Sequence, residues 1–191
     1  MTYNEFIPWV QQLSSSELDY DNYSGVQCVD LIKWYIRKVR NITPKSIGNA
    51  NQYWYKRNES YIQTVIANGG SLITVGRGVN AKPKAGDIVV MMKDGSSTGH
   101  ICIASGNNSS TYFKSYDTNW GSWQCQLITH RYSSDWYVLG LIRMSSIYTF
   151  EELLPPDEED DGSHSDEGHT TPEIHTDIDA EVALMKILNI I

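Results

Sequence analysis

The stretch Asp19-Tyr-Asp21-Asn-Tyr23-Ser-Gly25-Val-Gln27-Cys28-Val-Asp30-Leu31-Ile32-Lys33-Trp-Tyr35-Ile-Arg37-Lys38-Val39-Arg40 carries the reading of the whole chain. From Val26 its apolar residues recur at helical spacing. Cys28, Leu31, Ile32, Tyr35 and Val39 fall on one face, while Lys33, Arg37, Lys38 and Arg40 fall elsewhere. The cations crowd the C-terminal end, where they complement the helix dipole. The spacing predicts a helix over 26–40. Cys28 stands at its start, just after a glycine. The positive end of a helix favours the nucleophilic thiolate, and the backbone amides there can stabilise an oxyanion. A lone cysteine so placed, with histidine and Asn/Asp elsewhere, is the pattern of a nucleophile. The plain alternative is a small buried hydrophobe, the usual fate of a free cysteine. Cys102 and Cys125, in apolar surroundings, read that way.

The same stretch holds a second pattern. Positions 1, 3, 5, 7 and 12 of a 12-residue loop are Asp19, Asp21, Tyr23, Gly25 and Asp30, the ligand spacing of an EF-hand loop, with Tyr23 and Gly25 offering backbone carbonyls. Glycine falls one place late, and position 12 is Asp rather than Glu. All-oxygen ligands make calcium the natural cation. The alternative is an Asp-rich turn that caps a helix.

Outward from this stretch, Phe6, Trp9, Val10 and Leu13 predict a short helix within 1–13, and residues 14–25 read as a loop. A short helix is expected around 52–57. From residue 61 the pattern shifts toward strands at 87–92, 100–105, 111–117 and 137–144, separated by Gly- and Asn-rich turns. Helices followed by consecutive short strands predict an α+β fold with an antiparallel sheet. This part holds two histidines, His100 and His130. His100 opens a strand after Gly99; such a residue is a candidate base or simply a surface residue. Asp117 and Asn119, two apart at a strand end, fall on one face. Either can orient an imidazole, or both belong to an Asp/Asn-rich turn.

Charge divides the chain. Residues 1–148 carry 14 Lys+Arg against 10 Asp+Glu, a net of +4, and 149–191 carry 1 against 13, a net of -12. All six Trp and twelve Tyr lie in the first part. We expect a domain at 1–148, a solvated acidic linker at 149–176, and a short amphipathic helix at 177–191, serving self-association or beginning a truncated module. The chain ends on Ile-Ile, as part of a longer product would. No leader peptide or membrane span is expected. Three cysteines without a CxxC pair argue against a disulfide scaffold and a zinc knuckle.

Five segments together resemble a family, the CHAP domain, a cysteine, histidine-dependent amidohydrolase/peptidase. They are Asp19 to Leu31, Gly48-Asn-Ala-Asn-Gln-Tyr-Trp54, Lys84-Ala-Gly-Asp87-Ile-Val-Val, Gly99-His100-Ile-Cys-Ile-Ala, and Tyr116-Asp117-Thr-Asn119-Trp120. The resemblance runs over about residues 3–148 and is nearest to phage endolysins against Gram-positive bacteria. It implies a papain-like (NlpC/P60-like) α+β fold, with Cys28 as nucleophile and His100 as its partner. Asp117 or Asn119 would orient the imidazole, and the Cys28 amide, helped by Gln27, would face the oxyanion. It also implies structural calcium at Asp19, Asp21, Tyr23, Gly25 and Asp30. The implied substrate is a peptidoglycan amide, cut as an N-acetylmuramoyl-L-alanine amidase or as an endopeptidase. Neither a nucleic-acid partner nor membrane insertion is expected. The protein would be made in the host cytoplasm and act on the wall after release. Family members of this type carry Glu where this chain has the shorter Asp117. Two rival readings are an inactive CHAP-like module that binds wall glycan and an intracellular cysteine peptidase acting on proteins.

Overall fold

Helices come first along the chain and the sheet second. The computed structural model describes residues 1–132 and 135–144. Among them are α1 (Tyr3–Val10), α2 (Ser15–Leu18), α3 (Cys28–Arg40), α4 (Gln52–Tyr55) and α5 (Ser60–Ile66). The strands are β1 (Ser71–Thr74), β2 (Ile88–Lys93), β3 (His100–Asn108), β4 (Tyr112–Asp117), β5 (Gln126–Arg131) and β6 (Trp136–Arg143). They form one antiparallel sheet in the order β1-β6-β2-β3-β4-β5. This is the expected α+β, papain-like arrangement. The linker and terminal helix expected at 149–176 and 177–191 lie outside the described residues.

Local chemistry accounts for the element starts. In α1, Thr2 Oγ1 accepts from the Glu5 amide and the Glu5 carboxylate accepts from the Thr2 amide, a reciprocal cap. The same Ser-x-x-Glu device starts α2: the Ser14 amide and hydroxyl both donate to Glu17, at 2.8 and 2.6 Å. At α3 the Gln27 amide donates to Asp30 Oδ2 at 2.9 Å. That helix ends at Asn41, whose left-handed φ of 52° stops it.

The sheet has two apolar faces. Ile88 and Val90 of β2 and Ile101 and Ile103 of β3 join Phe6, Leu31, Ile32 and Tyr35 in the helix-side core. The alternate residues Val89, Met91, Cys102 and Ala104 join Phe113 and Val138 in a second cluster. Both faces of β2 and β3 are therefore covered, and α3 lies against β3.

Four elements differ from the sequence expectation. The 14–25 segment contains α2, which the Ser14/Glu17 cap and the burial of Leu18 stabilise. Residues 60–66 form a helix, not the start of a strand region, because Tyr61, Ile62 and Val65 bury one helical face. Strands β1 and β5 were not expected. Each lies at a sheet edge with a single partner, and an edge strand exposed on one side needs no regular apolar alternation.

Candidate active site

Cys28 is the first residue of α3 and is half-buried. His100 is the first residue of β3 and Asp117 the last of β4; both are buried. Gly99 makes the His100 position available. Its φ is +69°, and a Cβ there would come within 2.5 Å of the Met91 carbonyl. The loop before it is pinned from α4's start. The Asn51 amide donates to Thr98 O at 2.9 Å, and Asn51 Nδ2 to Ser97 O at 2.8 Å. From the other side, buried Thr118 donates through Oγ1 to Gln27 O at 3.1 Å, tying the end of β4 to the start of α3.

These ties bring the three groups together. His100 Nε2 and Asp117 Oδ1 are 2.7 Å apart. A carboxylate only accepts, so Nε2 carries the hydrogen and Nδ1 is the ring nitrogen that remains to serve Cys28, which lines the same cleft. Burial pulls the His100 imidazole down, but Asp117 and Cys28 outweigh it and push it up to about 9. Burial raises the Asp117 carboxyl, yet the two histidines on it, His100 and His130, bring it below its usual range. Burial pushes the Cys125 thiol up to about 12 and the Cys102 thiol up as well. Neither is poised to act as a nucleophile.

Cys28 and His100 face a cleft of about 370 Å³, whose lining includes Asn49, Asn119, Trp120 and Trp136. The Trp120 ring lies 4.7 Å from that of His100 and covers it. Asn119 is exposed and has a left-handed φ of 57°. The strand alternation that would put it beside Asp117 stops at Asp117, and the hydrogen bond to His100 comes from Asp117. Gln27 also lines the cleft, and its side chain donates to Tyr23 O at 3.2 Å. Ser115, Thr118 and Asn51 were not singled out by the sequence reading, and His130 was named there only as the second histidine of the domain. Their roles depend on side-chain meetings that no periodicity signals.

The Asp-rich loop lies directly before α3. Carboxylate oxygens of Asp19, Asp21 and Asp30 fall within 4.8 Å of one another, and Asp19 Oδ1 is enclosed without a hydrogen-bond partner. Such a donor set suits a hard cation. Tyr23 is exposed, and Gly25 takes a left-handed φ of 69°. The loop also holds a cation of its own: Lys33 Nζ lies 2.6 Å from Asp21 Oδ2 and 3.1 Å from Asp30 Oδ1. Its hydrogen bond holds the Asp21 carboxyl below the usual range, while burial pushes Asp30 up.

The family model of the CHAP domain matches residues 18–119, from the end of α2 to just past β4. No curated protein matches the chain.

Proposed function

The chain belongs to the CHAP domain family, and from that premise we propose that it is a cysteine-dependent peptidoglycan hydrolase of the endolysin kind. The observation that carries this reading is His100, bonded to Asp117 at 2.7 Å and facing one cleft with Cys28 at the head of α3. The Cys28 thiolate attacks an amide carbonyl carbon. The His100 imidazolium gives its Nδ1 proton to the amine as the C–N bond breaks, leaving an acyl-thioester. Water then attacks the thioester, neutral His100 takes a proton from it, and Cys28 leaves as thiolate. The Cys28 backbone amide, free of an intrahelical partner in the first turn, faces the oxyanion. One such donor is worth roughly 10²–10³-fold in rate. Gln27 assists by holding the Tyr23 carbonyl and the loop ahead of the nucleophile.

The substrate we propose is Gram-positive peptidoglycan, cut at the muramoyl-L-alanine amide or within the stem or cross-bridge. The protein would be made in a host cytoplasm and meet the wall after release. Calcium, held by Asp19, Asp21 and Asp30 with the Tyr23 and Gly25 carbonyls, would stiffen the loop that leads into Cys28. To be seated there it must displace the Lys33 ammonium.

The test is turbidity loss of purified Gram-positive walls, wild type beside Cys28→Ala, in calcium buffer. Lysis by wild type and background by Cys28→Ala is the expected result. Equal lysis by both removes Cys28 from the mechanism. No lysis by either across several hosts favours a wall-binding module instead.

A further inference from the structure

His130 lies outside the cleft, yet it reaches the same carboxylate as His100. Its Nε2 is 3.0 Å from Asp117 Oδ1, the oxygen that His100 Nε2 meets at 2.7 Å. Asp117 Oδ2 accepts from Ser115 Oγ at 2.6 Å. Three donors thus converge on one buried carboxylate. His130 is the one buried residue of edge strand β5. It is stacked on Phe113 at 5.1 Å and meets the Trp120 ring edge-on at 4.7 Å. Its burial there is not explained by apolar packing alone, since an imidazole in an apolar site needs a hydrogen-bond partner. Because the carboxylate only accepts, both histidines present Nε2–H to it.

We propose that His130 is a positioning residue for the reaction: it shares Asp117 Oδ1 with His100 and thereby limits how firmly Asp117 holds the His100 imidazolium. The inference rests on the Cys28–His100–Asp117 reading above. Without His130, Ser115 and strand β4 still hold Asp117 in place, and Oδ1 serves His100 alone. The imidazolium is then stabilised further and gives its proton to the leaving amine less readily. The other titratable groups near this cluster are Cys28 of α3, Cys102 of β3 and Cys125 just before β5. Burial keeps the last two protonated, so the alkaline limb of activity belongs to His100.

The experiment compares wild type, His130→Phe and His130→Gln. Phe keeps the stack on Phe113 and removes the N–H; Gln restores a donor near the Nε2 position. For His130→Phe we expect kcat on walls to fall roughly 3–10-fold at unchanged KM. The alkaline limb, and the His100 titration followed by NMR, should move up by about 0.5–1 unit. His130→Gln should return both toward wild type. An unmoved or lowered limb in His130→Phe, or no restoration by Gln, overturns the proposal. Wild type alone supplies a second check that needs no variant to fold: ¹⁵N spectra should show His130 protonated at Nε2, and an Nδ1–H tautomer overturns the proposal. Failure of the underlying reading looks different, because Cys28→Ala would then keep wild-type activity.

Discussion

In the proposed mechanism His100 sets the pH behaviour of the site. Its protonated form is the acid that the mechanism needs, and burial opposes that form while Asp117 and Cys28 favour it, with the balance at about 9. Wall hydrolysis should therefore fall as pH rises through about 9. Stability follows the same sign. The folded value lies above the ordinary 6.5, so this contribution is complete below pH 6.5 and is lost as pH rises through about 9. Asp117 acts oppositely: its carboxyl is lowered, so its contribution is present above the ordinary 3.8 and is lost as acid protonates it. Melting temperature and hydrolysis rate measured together from about pH 6 to pH 10 check the alkaline half. A rate that is flat or rising through that range would remove His100 as the acid. Of the two candidates for orienting His100, Asp117 is the one hydrogen-bonded to it. Asp117 is one methylene shorter than Glu, yet it reaches His100 at 2.7 Å because β4 delivers it to the start of β3.

At the scale of elements, the Asp-rich loop and α3 act as one unit. Asp30 caps the helix through Gln27 and pairs with Lys33 one turn on, and Lys33 reaches back to Asp21. Removing one partner of a buried pair costs roughly 3–5 kcal/mol, because the other charge is left uncompensated. Lys33→Met should therefore lower the melting temperature in chelator and recover it on adding calcium, by a larger shift than calcium gives wild type. Thermal melts of both proteins in EDTA and in calcium check this. A Lys33→Met protein that melts alike in the two buffers would mean that the three aspartates do not take up the ion. The helix itself was legible because α3 buries a continuous apolar face, with Leu31, Ile32, Tyr35 and Ile36 all inaccessible. Strand β5 was not, because its exposed Gln126, Leu127, Thr129 and Arg131 carry no inward pattern.

At the scale of the molecule, the sheet is stitched by a pair far apart in the chain. Asp87, fully buried before β2, accepts from Arg143 at the end of β6: from Nε at 2.7 Å and from the terminal nitrogen at 2.6 Å. It also accepts from the Lys84 amide at 2.8 Å. This explains the Lys84-Ala-Gly-Asp87 segment structurally, since none of these residues faces the cleft. Asp87→Ala should cost about 3 kcal/mol of stability, through the loss of the carboxylate's two bonds to the guanidinium and of the turn bond. Wall activity per folded molecule should be unchanged. Urea denaturation alongside hydrolysis checks it, and a loss of activity without loss of stability would place Asp87 in the site after all.

The local elements of the site were written in the sequence. Helical spacing placed Cys28 at the head of α3, alternation marked the strands that carry His100 and Asp117, and the aspartate spacing marked a loop whose carboxylates come together. Each of these is a property of neighbours along the chain, where the backbone period alone decides which side chains share a face. Only the tertiary structure chose among partners. It set Asp117 rather than Asn119 on His100, because the left-handed turn at Asn119 ends the strand's alternation. It brought His130 from an edge strand onto the same carboxylate, and it folded Lys33 into the aspartate loop. These meetings, and the Thr118 bond to Gln27 across 91 residues of sequence, depend on strand order, register and side-chain reach, and no local period encodes them.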